Sequence, residues 1–123
     1  MPQIVLCLTR KEGTTPEQFK QHYETSHAPL AMKHLGHLYK SYQRNYADFR
    51  TPTLGEREQG VSQAAPLYDC ITVIQLEDDA ALDEFWRIGT SPGMAELFAE
   101  DEEKFLDREK LVIHICHEVT TAC

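Results

Sequence analysis

The sequence predicts an α+β fold, a four-stranded antiparallel sheet with its helices on one face, in the order βαββαβ. Three observations carry that prediction. Four segments of strand length, three of them apolar runs and the second a tyrosine-rich alternation, are spread along the chain, and helical start signals fall after the first and third of them. No repeat, low-complexity stretch or linker divides the 123 residues, which read as a single domain spanning 1–123.

The first strand is Gln3–Thr9, rich in β-branched residues and leucine. Gly13 ends it, and Thr14-Thr15-Pro16-Glu17 opens a helix with a threonine N-cap, a proline and an acid in the first turn. Phe19, Tyr23 and Ser26/His27 recur at helical spacing and form its inward stripe. Pro29 disfavours helical geometry at Ala28, so this helix is expected to kink or stop near His27. A short continuation, Leu30–Leu35, ends at Gly36. Leu38–Phe49 is the second strand, with Leu38, Lys40, Tyr42 and Arg44 on one face and Tyr39, Ser41, Gln43 and Asn45 on the other. Arg50–Pro66 has no periodicity and holds two prolines and two glycines, so it reads as a long loop.

Tyr68–Glu77 is the third strand, a nearly continuous apolar run. Asp78 and Asp79 then cap a helix whose face is Leu82, Phe85, Trp86 and Gly89. Ser91-Pro92 opens a further helical segment that points Met94, Leu97, Phe98 and Phe105 inward. Leu111–Val119 is the last strand. This order is that of the split-βαβ, ferredoxin-like arrangement.

Such a sheet ordinarily leaves one face in water, and its strands should then alternate apolar with polar. Here they do not. The first strand offers Ile4, Leu6 and Leu8 on one side and Val5 and Cys7 on the other. The third sets Cys70, Ile74 and Leu76 against Ile71 and Val73, and the last sets Leu111, Ile113 and Ile115 against Val112 and Cys116. A second apolar face of that size calls for a cover, and a second copy packed sheet to sheet, a homodimer, is the economical one.

The composition excludes several classes of function. A net charge of −8, with acidic clusters at Glu77-Asp78-Asp79 and Glu100–Glu103 and no basic stripe, argues against a nucleic-acid partner. The longest apolar stretches are too short to cross a bilayer, so no membrane partner is expected. Met1-Pro2-Gln3 carries no basic n-region and does not read as a signal peptide. Four cysteines without a CxxC fit free thiols in a reducing, cytoplasmic setting. Phosphate loops, dinucleotide fingerprints and GxSxG are lacking, and no cofactor is expected.

Phe19, His22-Tyr23, His27-Ala28-Pro29-Leu30, Tyr68-Asp69 and the run Asp101–Asp107 together resemble the EthD-type signature of the dimeric α/β-barrel superfamily, over nearly the whole chain. The resemblance implies a ferredoxin-like subunit whose sheet closes a barrel with its partner's, and a small-molecule pocket between each sheet and its own helices. The superfamily's activities are diverse: polyketide cyclases, lactone isomerases, decarboxylases, cofactor-free oxygenases and haem-degrading enzymes. Its members nearest in feel belong to fungal polyketide and natural-product pathways.

Within that frame His27 is the leading catalytic candidate, because the end of a helix favours an imidazolium and a histidine can both take and give a proton near neutrality. The resemblance turns it toward the pocket. His22 lies five residues earlier, about 140° around a straight helix, and so reads as a helix-surface residue that shares no metal site with His27. Tyr42 is a candidate hydrogen-bond donor to a carbonyl or enolate oxygen, with His114 as a second stabilising group. The aromatic residues Tyr23, Phe85, Trp86 and Phe98 would wall the pocket, with Asp69 and Cys70 contributing from the third strand. By the resemblance, Cys70 could pair with the histidine, although free cysteines usually serve as small core residues. His114 and Cys116 share a strand face about 7 Å apart, which is wide for one metal, and no metal site is expected.

These parts suit a cofactor-independent lyase, a decarboxylase or dehydratase, acting on an apolar aromatic or polyketide-derived substrate in secondary metabolism. An isomerase or cyclase, a cofactor-free oxygenase and a non-catalytic binding protein remain alternatives.

Overall fold

The computed structural model describes all residues from Met1 to Cys123. Strands β1 (Pro2–Leu8), β2 (Tyr39–Tyr46), β3 (Cys70–Leu76) and β4 (Val112–His117) form one antiparallel sheet in the order β2-β3-β1-β4. The first helical arm runs from α1 (Pro16–His22) through a π-turn (Tyr23–His27) into α2 (Ala28–Leu35). A short helix, α3 (Leu54–Glu58), follows β2, and α4 (Asp79–Gly89) and α5 (Met94–Glu102) follow β3. The ferredoxin-like arrangement expected from the sequence is the one observed.

Local chemistry explains the starts of these helices. Thr15 caps α1 by accepting from the Gln18 backbone N–H, while the Gln18 side chain returns to the Thr15 N–H. Asp78 caps α4 through the Ala81 N–H. The helix after Ser91-Pro92 begins only at Met94, because Gly93 takes a left-handed φ of 86° as its N-cap. Leu97 consequently points outward and is 39% exposed, while Ala95 and Phe98 take the inward side.

One expectation is resolved and two are corrected. Of the kink or stop expected near His27, the structure shows the helix disrupted there without stopping. One widened turn, in which the Ala28 N–H donates to the Tyr23 carbonyl, lets Pro29 enter the helix, and the chain continues to Leu35. The segment 50–66 is not structureless: Thr53 and Glu56 form a capping box on α3, and Arg50 pairs with Ala64 across the loop base. Tyr39 and Tyr42 were expected on opposite faces of β2. A bulge at Lys40 sets Tyr39 opposite Leu76 and Tyr42 opposite Ile74, so both face the helices.

Register assigns the two sheet faces. Ile4 pairs with Ile74 and Ile115, and Leu6 with Thr72 and Ile113, which puts these residues on the helix-covered face. Two core clusters form there, one around Leu8, Phe19, Tyr23, Cys70 and Phe105, the other around Ile4, Ile74 and Leu76. On the opposite face Val5, Cys7, Val73, Val112 and Cys116 are only half-buried, and Ile71 is 39% exposed. No helix is long and apolar enough to cross a membrane.

Candidate active site

A cavity of about 320 Å³ lies between the inner sheet face and the helices. Leu6, Leu8 and Ile74 floor it from the sheet. Phe85 and Trp86 of α4 and Phe98 of α5 wall it. Tyr23, His27, Tyr39 and Tyr42 supply polar groups, and Glu102 and Arg108 form an ion pair at 3.2 Å on its border.

His27 is almost fully buried, and its ring packs against Tyr23, Phe98 and Phe105. Its Nδ1 lies 2.9 Å from Oδ2 of Asp101, the buried acid near the end of α5. Burial pushes the Asp101 carboxyl up, but hydrogen bonds from Ser26, His27 and His22 outweigh it and hold the group below its ordinary value. An ionised carboxylate only accepts, so Nδ1 of His27 carries the proton and Nε2 is left for the cavity. The support expected from a helix end is therefore supplied by another element: His27 sits inside a continuous helix, and Asp101 accepts from its Nδ1 and orients the ring.

His22, expected on the helix surface, also reaches Asp101, with Nε2 at 3.0 Å from Oδ1. A turn closed between residues five apart brings His22 and His27 toward one side of the helix. Ser26 donates to the same Oδ1 at 2.8 Å. Asp101 is the residue of this hydrogen-bond cluster that sequence reasoning missed. It stands within the acidic run Glu100–Glu103 and opens the Asp101–Asp107 run of the EthD-like signature, but nothing in that pattern ties it to His27, and only its neighbours Phe98 and Phe105 mark the helix face that turns inward.

Tyr42 donates to the Tyr23 hydroxyl at 3.0 Å, and Tyr23 shares a 2.8 Å hydrogen bond with Thr72, which is fully buried. Burial pushes both phenols well above their ordinary value, so they remain protonated donors. Beside them Arg44 lies over the Tyr42 ring and pairs with Glu24 at 2.6 and 2.8 Å. Tyr46 donates to the same carboxylate at 2.5 Å.

Three sequence-predicted site residues stand elsewhere. His114 is exposed opposite Val5 on the outer face, because odd and even positions of β4 alternate across the sheet. Asp69 accepts from the Arg10 backbone N–H at 2.8 Å and from Arg10 Nε at 3.2 Å, locking the entry to β3. Cys70 is completely buried in the core, and burial pushes its thiol up to about 11, which withholds the thiolate a nucleophile needs. It is a core residue.

Comparison with known proteins gives a consistent result. The sequence model of the EthD domain family matches residues 11–109. A solved ethyl tert-butyl ether D (EthD) family protein from Bacillus halodurans superposes with a TM-score of 0.64 at 16% identity, covering 97% of this chain and 99% of that one. An Arabidopsis thaliana protein superposes at 0.65 with 19% identity over the full length of both chains. HapK from Hahella chejuensis superposes at 0.60 with 12% identity, covering 100% and 97%. Comparison with curated protein sequences finds no match.

Proposed function

The chain belongs to the EthD domain family, and we propose that it is a cofactor-independent lyase, decarboxylating or dehydrating an aromatic or polyketide-derived substrate by proton transfer at His27. The observation that supports this reading is the His27–Asp101 pair at 2.9 Å on the edge of an apolar cavity. A cavity of about 320 Å³ walled by Phe85, Trp86 and Phe98 suits a flat apolar ring system.

For an ortho-hydroxy aromatic acid the steps balance as follows. His27, charged with Asp101 against Nδ1, gives the Nε2 proton to the ring carbon that bears the carboxylate. Electron density from the phenolate supports that new C–H bond, and Tyr42 turns its one O–H from Tyr23 to the oxygen from which it comes. The bond to the carboxylate then breaks, its electron pair restores the aromatic ring, and carbon dioxide leaves. His27 takes a fresh proton from solvent. For dehydration, neutral Nε2 removes a proton alpha to a carbonyl and returns it to the departing β-hydroxyl, which leaves as water.

The working unit is a homodimer, formed where the half-buried outer face of Val5, Cys7, Val73 and Val112 meets its copy. The four cysteines are free, which suits a reducing compartment such as the cytoplasm.

The test is a mass-spectrometric screen of hydroxylated aromatic acids and β-hydroxy polyketide mimics, with air and under nitrogen. Loss of CO₂ or water in both atmospheres supports the lyase. Turnover only in air replaces it with an oxygenase. Tight binding without product from any member of the panel replaces it with a binding protein.

A further inference from the structure

Asp101 has more donors than the His27 pair requires. Oδ1 accepts from both His22 Nε2 at 3.0 Å and Ser26 Oγ at 2.8 Å, and Oδ2 accepts from His27 Nδ1 at 2.9 Å. Two donors on Oδ1 leave the carboxylate no freedom to rotate toward another partner. His22 is itself held, stacked on Phe105 with ring centroids 4.8 Å apart. Its outer edge borders a shallow surface cleft with Gln18, Gln21 and Thr25, and its side chain is 25% exposed against 11% for His27. Both histidines reach one carboxylate because the π-turn lies between them; on an unbroken α-helix they would point about 140° apart.

We infer that His22 is a positioning residue for His27, acting through Asp101. It clamps Oδ1 so that Oδ2 faces His27 Nδ1, fixes the tautomer of the His27 ring and turns Nε2 to the cavity. The inference rests on the reading that His27 works in the cavity. It also gives the π-turn a purpose that Pro29 alone does not, since a helix that stopped at His27 would free the turn holding His22.

The two rings must then carry opposite tautomers in the resting protein: Nε2–H for His22 and Nδ1–H for His27. Two-dimensional NMR of ¹⁵N-histidine-labelled protein reads both directly at a pH where the rings are neutral. The expected wild-type result is one pure tautomer for each ring, of opposite kind; His22 as Nδ1–H, or a mixture at either ring, overturns the inference without any variant. His22→Phe keeps a ring against Phe105 but removes the donor, and should mix the tautomers of His27. His22→Gln keeps an N–H for Oδ1 and should restore the single tautomer. A single His27 tautomer in His22→Phe overturns the inference. Once a substrate is known, His22→Phe should lower kcat about 10-fold with KM nearly unchanged, and His22→Gln should recover most of that loss. The tautomer readout needs no substrate, so an empty substrate screen counts against the lyase while leaving the clamp testable.

Discussion

Glu24 and Asp101 are both acids packed against the aromatic cluster, and both are held below the ordinary carboxylate range by hydrogen bonds. Glu24 is closed on itself. Arg44 grips both of its oxygens, Tyr46 donates to one of them, and none of the three groups offers a free donor or acceptor to the cavity. Asp101 is saturated too, but one of its partners is a histidine whose second ring nitrogen remains available. The same device, an acid tied down among aromatics, is structural where the partner is a guanidinium and, on the proposed function, chemical where it is an imidazole.

The sharpest way to break this comparison is Asp101→Asn. The amide can present an N–H where His27 needs an acceptor, so turnover should fall about 100- to 1,000-fold, read as kcat on any accepted substrate. An unchanged kcat would reduce Asp101 to a counterpart of Glu24. Tyr42→Phe comes next. It removes the donor proposed for the substrate oxygen and should cost about 10-fold in kcat, with stability little changed because the ring keeps its packing.

Glu24→Gln should do the reverse, leaving kcat near wild type and lowering stability by about 1–2 kcal/mol, discounted for the solvent on its side chain. Its pH signature follows from linkage. Arg44 is the main cause that holds the Glu24 carboxyl down, at about 2, against burial which raises it. A depressed folded-state value means that the stabilisation is present above the ordinary carboxylate value and is lost as pH falls toward about 2. Urea unfolding midpoints should therefore drop across that window in the wild type and drop less steeply in Glu24→Gln. The smallest effects belong to His114→Ala and Cys70→Ala, which should keep kcat within about 3-fold, since one residue lies on the far face and the other is core filler.

The fold was legible because its signals are local. Thr15-Pro16 and Asp78 cap helices wherever they occur, and Ile4, Leu6 and Leu8 mark one strand face by simple alternation. His27 and the aromatic wall were legible for the same reason, as members of helical stripes. Tyr39 was misplaced because a bulge at Lys40 breaks the alternation, and nothing in Tyr39–Tyr42 announces an extra residue. Asp101 lies in the Asp101–Asp107 run that carries the family resemblance, but its role was missed because its partners are 74 to 79 positions away and no local pattern links them. The π-turn has a sequence cue in Pro29, but a proline specifies disruption without saying whether the helix stops or widens.

The central claim is that His27 performs the proton transfer inside the cavity. Its most direct test is His27→Ala, measured for turnover and, by calorimetry, for affinity toward the same aromatic ligand. Loss of turnover by about 1,000-fold, with affinity within about 3-fold of wild type, is the predicted result. Turnover that survives the substitution would contradict the account.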